Sequence, residues 1–462
     1  MDYTDNHFFI GIDVGHATSS ITYFDLKKNT AEVINISGGF GRVTQETAMQ
    51  LVDGEAVFGS YALTGDSPEF PTQFDLLSQG DLQAFAKQMI DYVYEINPKA
   101  ALMAITVVLP RDTTSHERLR AAFATYGDRI QFASHDNCVI AYYHSQQTLR
   151  TETFAIIDYA HTGLRLSLYA HDKTIRHLLY FDDQQVGTEH LDQELLAHVT
   201  QLYLEQTGLS PVQLSETDKI NLRILLHEHQ QHLLSAKGKD IKLHLNFVFP
   251  PVSVTVRGQA VRDMITTYET RIRKLIRHHL QLNHLAVDTI HTVLQTGGGF
   301  EMPWARSLIE KVFTHSQVVR HTSAKIMPAL GAAVISASRC QVVSPPPTLE
   351  APQLGYDIGL LTNQGFQSIL DTQLRVIPRT STAQAFTLDI YKQTEDKTKL
   401  ISVIDVDRMD RHHLSVELGV RALFANHQVT LTVTDLGFGD MASASGFERT
   451  YTIKERYLYD ND

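Results

Sequence analysis

An apolar run that ends in an acid, followed by a polar turn and a returning apolar segment, occurs twice along this chain. Residues 8–24 contain the first copy, with Asp13 at its tip, and residues 153–170 contain the second, with Asp158 at its tip. Short apolar runs bounded by turn residues are typical of strands. The pattern predicts two acid-tipped hairpins and, from their likeness, an internal duplication.

Between and after the hairpins, strand and helix patterns alternate. Residues 101–109 form an apolar run that stops at Pro110, and residues 83–94 and 115–126 have helical spacing. Alternation of this kind predicts an α/β layer. The remaining predicted elements are helices at 187–199, 214–235, 259–282 and 304–313, and strands at 130–132, 241–248 and 292–295.

The pattern changes near residue 342. Residues 342–352 read VVSPPPTLEAP, a Pro-rich segment typical of a linker of limited flexibility. Beyond it the hydrophobic period becomes two, which predicts a separate all-β sandwich built from strands at 368–376, 386–391, 399–406, 414–420 and 429–433. We therefore expect a domain over 1–340, a linker over 341–352 and a sandwich over 353–462.

Composition narrows the class of protein. A chain of 462 residues with 43% hydrophobic residues is too long for a single core. Its net charge of −12 and the lack of a long basic run argue against nucleic acid as a partner. The two cysteines suit a reducing compartment, and the apolar stretches are too short or too interrupted for membrane insertion. With no signal-like N-terminus, we expect a cytoplasmic protein.

The first hairpin carries groups suited to a nucleotide. Gly15 lets the backbone approach a bound group, the hydroxyls of Thr18 and Ser19 could face phosphate oxygens, and Asp13 could hold a hydrated magnesium ion. Taken alone, the motif also fits an ordinary hairpin with a polar turn.

Several motifs together resemble the nucleotide-binding fold shared by actin, sugar kinases and the seventy-kilodalton heat-shock (DnaK-type) chaperones. They are IGIDVGHATSS at 10–20, FAIIDYAHTGLRLSLY at 154–169, VGTEHLDQEL at 186–195 and VLQTGGGFEMPWARSLI at 293–309. The tail that begins TLEAPQLGYDIGLL is similar to the start of the chaperones' peptide-binding sandwich. The resemblance therefore points to the chaperone branch.

The resemblance implies a two-lobed actin-like (ribonuclease H-like) domain that binds ATP or ADP with magnesium, followed by a small β-sandwich that binds an extended polypeptide. It implies catalytic roles for Asp13, Asp136 and Asp158, with Asp13 and Asp158 also near the metal. It places the phosphates and the nucleoside against Gly15, His16, Thr18, Ser19, His161, Thr162, Gly187, Thr188, Glu228, Gln231, Ser235, Gly297, Gly298 and Gly299.

Departures from the family pattern change the expected activity. His16 and Ala17 stand where the family has two Thr, and Tyr159, Ala160 and His161 follow Asp158 where it has Gly-rich sequence, which we expect to narrow the phosphate cradle. The family's catalytic Lys should fall near residues 74–77, and no Lys is there. We expect nucleotide binding with weak or lost ATP hydrolysis, no helical lid, and a linker altered by its three prolines.

Alternatives stay open at this point. The chain could be a pseudo-ATPase scaffold or an actin-like filament or cell-division protein, although the appended sandwich argues against a filament. His16 and His161 could face each other as phosphate donors or could be ordinary turn residues. A zinc helix at His227, Glu228, His229 and His232 is disfavoured, because Gln231 stands where the second ligand of the metalloprotease motif belongs.

Overall fold

The chain divides into two compact units, Met1–Leu349 and Glu350–Asp462. The computed structural model describes residues 6–36, 43–52, 55–59, 62, 72–73, 77–110, 114–147, 149–208, 210, 221–222, 225–226, 233–234, 239–245, 251–349, 357–370, 372–377, 385–393, 398–407, 417–425, 428–437 and 443–453. Over these residues the chain has a mixed α/β fold with several sheets and seven α-helices.

The strands of the first unit are β1 His7–Val14, β2 Thr18–Asp25, β3 Thr30–Val33, β4 Gln45–Glu46, β5 Ala48–Val52, β6 Glu55–Phe58, β7 Thr72–Gln73, β8 Ala101–Leu109, β9 Ile130–Ser134, β10 Glu152–Tyr159, β11 Leu164–His171, β12 Ile175–Asp183, β13 Ile241–Leu245, β14 Val252–Val256, β15 Thr292–Thr296 and β16 Gln317–Arg320. Its helices are α1 Gln79–Ile96, α2 Thr114–Phe123, α3 His135–Gln146, α4 Thr188–Thr207, α5 Gly258–Leu282, α6 Pro303–Val312 and α7 Met327–Arg339.

The two main sheets of this unit share one strand order. The first runs β3-β2-β1-β8-β9, with β4 added beside β2, and the second runs β12-β11-β10-β15-β16. In each, the first strand of an antiparallel hairpin is the central strand and also pairs in parallel with a later strand. Both predicted hairpins are confirmed, and each begins one of the two sheets.

The helices mostly follow the predicted spacing. The segment predicted at 83–94 lies inside α1, which begins with a capping box between Ser78 and Asp81. The segment predicted at 115–126 ends earlier as an α-helix, because the chain continues as a 3₁₀-helix over Ala124–Arg129. The segment predicted at 214–235 lies largely outside the described residues.

Helix α7 lies directly on the first sheet. Thr22 Oγ1 donates a 2.7 Å hydrogen bond to the Ala329 carbonyl of α7, and Ser336 Oγ donates one of 2.7 Å to the Ile10 carbonyl of β1. A Cβ atom at Gly11 would overlap the backbone of Ala329. Glycine and two small hydroxyl residues thus allow a helix and a strand to approach each other closely.

Helix α3 contacts both α7 and the second sheet. A Cβ atom at Gly331 of α7 would overlap the Cys138 carbonyl of α3, so the two helices cross almost backbone to backbone. On its other side, α3 shares a buried apolar cluster with β10: Val139 and Ile140 pack with Phe154 and Ile156. The helix pair therefore joins the two sheets.

The described strands of the second unit are β17 Asp357–Thr362, β18 Gly365–Ser368, β19 Leu374–Val376, β20 Ala385–Gln393, β21 Thr398–Asp407, β22 Glu417–Ala425, β23 Gln428–Gly437 and β24 Glu448–Ile453. They form two antiparallel four-stranded sheets, ordered β18-β17-β20-β21 and β19-β22-β23-β24. Alternate residues of both sheets, such as Ile390, Val406, Val420 and Leu431, belong to one buried apolar cluster.

Within the described part of the chain, no helix has both the length and the apolar character needed to cross a membrane.

The helix crossing yields a test of the fold. Gly331→Ala should lower the free energy of unfolding by about 1–3 kcal/mol, because the added methyl group meets a backbone carbonyl that cannot rotate away. Urea denaturation of the full chain measures this. Gly80→Ala, at an exposed position of α1 where a Cβ atom meets only Ser78 Oγ at 3.8 Å, is the matched control and should be neutral or slightly stabilising. Equal behaviour of the two variants would contradict the crossing.

Candidate functional site

Asp13 and Asp158, the acids at the ends of β1 and β10, interact electrostatically in the first unit. Asp13 is half-buried, and loss of hydration raises its pKa to about 6. The nearby charge of His135 lowers that pKa and the charge of Asp158 raises it. The structure therefore brings the two predicted acids into one site, with a histidine beside them that the sequence analysis missed.

His135 is held by Asp136 at the start of α3. Ser134 caps the helix by accepting from the Asn137 amide, and His135 Nδ1 lies 2.9 Å from Asp136 Oδ1. Tyr169 OH donates a 2.6 Å hydrogen bond to the other oxygen, Asp136 Oδ2. Asp136 thus orients His135, whose Nε2 lies 3.9 Å from Asp158 Oδ2. The signal in the sequence was its position directly beside Asp136.

Arg165 is the second residue that the sequence analysis missed. Strand register places it directly opposite Asp158 on β10 and opposite Asp182 on β12. Its Nη1 lies 3.2 Å from Asp158 Oδ2 and its Nε lies 3.0 Å from Asp182 Oδ2. The three side chains form a carboxylate–guanidinium–carboxylate row across the sheet, in which Asp158 is 4% exposed and Arg165 is 9% exposed.

The turn of the second hairpin, residues 160–163, is hydrogen-bonded both to Arg165 and to the start of α4. Arg165 Nη2 donates a 3.1 Å hydrogen bond to Thr162 Oγ1. The Thr188 amide donates to the Ala160 carbonyl at 3.1 Å, and the Glu189 amide donates to the His161 carbonyl at 3.1 Å. Gly187 and Thr188 therefore contact the turn, because the first amides of α4 bond to its carbonyls.

The histidines of the two turns are placed differently. His161 Nε2 lies 3.9 Å from Glu189 Oε2, so its ring points toward the first turn of α4. His16 is half-buried between β1 and β2, next to Gly15, whose amide donates to the Thr18 carbonyl at 3.2 Å.

One expectation about the turn is wrong. Tyr159 does not narrow the phosphate cradle, because strand alternation turns it to the face opposite Asp158. It is 0% exposed and packs edge-on against Phe300 and Trp304 in the core of the second sheet.

The hydroxyl residues of the first hairpin, Thr18 and Ser19, differ in burial. Ser19 is buried, and its Oγ shares a 2.6 Å hydrogen bond with Thr47 Oγ1. Its hydroxyl therefore supports the packing of the hairpin. Thr18, at the start of β2, is half-buried beside the turn.

The Gly-rich turn after β15 lies beside Asp158. β15 pairs in parallel with β10, which places Thr296 next to Asp158. Gly297 has a φ of +93°, and a Cβ atom there would overlap Asp158 Oδ1, so this position requires glycine. Gly299 packs on the Tyr159 ring, whereas a Cβ atom at Gly298 would meet no atom within 4 Å.

Three predicted nucleoside contacts, Glu228, Gln231 and Ser235, lie outside the described residues, as do His227, His229, His232 and residues 74–76. Within the described ranges, no group of three or more His, Cys, Asp or Glu side chains is arranged to hold a metal ion.

A protein-family model matches this chain. The family model described as "Hsp70 protein" matches residues 139–417, more than half of the chain. The matched region begins inside α3, includes the whole second sheet and ends at the start of β22. No curated protein matches the chain.

The raised pKa of Asp13 gives a test of the site's electrostatics. An acid whose pKa rises from 3.8 to about 6 on folding destabilises the folded state once it ionises, so the penalty is absent below pH 3.8 and complete above pH 6. Asp13→Asn should raise the free energy of unfolding at pH 7.5 by up to about 3 kcal/mol, with the difference vanishing toward pH 4. Urea denaturation at both pH values measures this.

The exposed Asp288→Asn is the control for that comparison, because it changes the same charge away from the site. An Asp13→Asn protein that is no more stable than Asp288→Asn at pH 7.5 would contradict the assigned environment of Asp13.

Proposed function

The chain belongs to the Hsp70 family, and on that premise we propose that it is a chaperone-like protein that binds ATP or ADP and hydrolyses ATP weakly or not at all. Its second unit binds an extended polypeptide segment. The observation that carries the proposal is the pairing of Arg165 with Asp158 at the point where the two hairpins and the Gly-rich turn meet.

The proposed architecture is a two-lobed actin-like domain over 1–340, a linker over 341–352 and a β-sandwich over 353–462. Two sheets of the same strand order, each beginning with an acid-tipped hairpin, support the two lobes. The apolar cluster common to both sheets of the second unit supports the sandwich, since two sheets that pack face to face bury their inner residues together.

The residues at the site fit the phosphates of a nucleotide. Arg165 and His135 offer positive or donor groups, Thr162 offers a hydroxyl, and the turns at Gly15 and Gly297 allow the backbone to come close. These residues would hold the phosphates between the hairpins. Glu228, Gln231, Ser235 and the Gly297–Gly299 turn would hold adenine and ribose, as the family resemblance implies.

Hsp70-family proteins use nucleotide and magnesium generally, but the carboxylates of this chain fit a magnesium ion poorly. Asp158 forms an ion pair with Arg165. Both carboxylate oxygens of Asp136 also have partners, one in Tyr169 and the other in His135. Asp13 is a single carboxylate, and among the described residues no group of three or more His, Cys, Asp or Glu side chains is arranged to hold a metal ion. Oxygen ligands for a hard cation should instead be charged and available.

The same pairing supports the proposed weak hydrolysis, because a carboxylate that is ion-paired with a neighbouring guanidinium is less available to position an attacking water. The sequence at 74–77 also has no lysine to stabilise charge on the transferred phosphoryl group. Asp13, Asp136 and Asp158 would then shape the site and contribute little to the rate.

Two alternative functions predict different behaviour toward nucleotide. A pseudo-ATPase scaffold would keep the fold and the second unit but bind no nucleotide. An actin-like filament or cell-division protein would polymerise with nucleotide, and the two sheets of the second unit give no support for it.

Calorimetric titration of the nucleotide-stripped full chain with ATP and with ADP tests the proposal, together with phosphate release on the same sample. We expect both nucleotides to bind and phosphate release to stay near the protein-free background, with Asp158→Asn leaving that rate unchanged. Release that is clearly above background and lost in Asp158→Asn would show an active ATPase. Failure of both nucleotides to bind would favour the scaffold.

Gly298 provides a probe of the nucleotide's position. Since a side chain there meets no protein atom within 4 Å of its Cβ, Gly298→Leu should unfold at the wild-type temperature. If the turn approaches the nucleotide, the leucine should weaken ATP binding by about tenfold or more. Wild-type affinity in Gly298→Leu would place the nucleotide elsewhere.

A further inference from the structure

We infer that Arg165 takes the place of the divalent cation at this site, so that nucleotide binds without magnesium. The inference rests on the proposed nucleotide binding and specifies its chemistry. It begins from the disagreement between the carboxylates present and the ligands that a metal ion requires.

The geometry of Arg165 is that of a built-in counter-ion. Cross-strand register fixes it opposite Asp158, and each of its three guanidinium nitrogens has a partner in Asp158, Asp182 or Thr162 at 3.0–3.2 Å. A planar guanidinium held at several points is well suited to oxygen anions, because its parallel N–H groups match carboxylate and phosphate.

The fixed guanidinium also competes with a metal for the same carboxylate. A metal ion that bound Asp158 would lie within a few ångströms of a buried positive charge, which could leave only by giving up both acidic partners. Phosphate oxygens are instead attracted by the guanidinium charge that repels the metal.

Two other carboxylates of the site, those of Asp136 and Asp182, have partners without a metal ion. Asp136 is satisfied by the Tyr169 hydroxyl and His135, and Asp182 lies at the edge of the row with its side chain 20% exposed. Asp13 is the acid that faces the site from the first hairpin, where the residue opposite it is Ser20. The second hairpin thus supplies the guanidinium of Arg165.

The first test is ATP titration of the full chain in EDTA and in magnesium. We expect the two dissociation constants to agree within about threefold. Binding that is about tenfold or more weaker in EDTA would overturn the inference while leaving the proposed nucleotide binding intact. Failure to bind under both conditions would overturn both.

A metal titration separates the inference from nucleotide binding. Mn²⁺ alone, followed by electron paramagnetic resonance, should show the same binding curve for the wild type and for Asp158→Asn. A saturable Mn²⁺ site that disappears in Asp158→Asn would contradict the role given to Arg165, whether or not nucleotide binds.

Removing the guanidinium should create a magnesium requirement. Arg165→Gln should bind ATP about tenfold or more weakly in EDTA and recover affinity in magnesium, because Asp158 becomes available to the metal. Arg176→Gln, on the exposed side of the same sheet where Arg176 pairs with Asp172, is the matched control and should match the wild type. An Arg165→Gln protein with wild-type affinity in EDTA would contradict the inference, and Arg165→Lys tests the charge if the neutral variant does not fold.

Discussion

The close crossing of α3 and α7 is the constraint on which the site depends. Gly331 lets the two helix backbones meet at Cys138, while α7 is bonded to β1 and β2 and α3 packs on β10. Because α3 also begins with His135 and Asp136, the crossing brings its first turn to the ends of both central strands. A shift of one helix would separate Asp13 from Asp158.

Much of this fold follows from the sequence, and the site follows only in part. Strand and helix periodicity is a local property, so the hairpins at Asp13 and Asp158 and the strand-rich tail were predicted correctly. Arg165 was missed because its pairing with Asp158 depends on the strand register across the hairpin. The turn at residues 160–163 sets that register. The expectation for Tyr159 was wrong because it rested on the size of the side chain. The face of the sheet on which Tyr159 lies places it in the core and not in the phosphate cradle.

The Hsp70 match and the Arg165–Asp158 pair belong to the same region of the chain. Residues 139–417 contain the second hairpin, α4 and the Gly-rich turn, and Arg165 lies within them. The glycine that the turn requires, Gly297, is kept against Asp158. The proposed nucleotide site, with Arg165 in place of a metal ion, is consistent with both observations.

Hydrogen–deuterium exchange of the full chain, with and without ATP, tests the central claim most directly, namely that the two hairpins form one nucleotide site. The account predicts that residues 13–20, 158–165 and 296–299 become protected together over a single ATP concentration range, although they are far apart in sequence. Protection confined to one hairpin, or to neither, would contradict it.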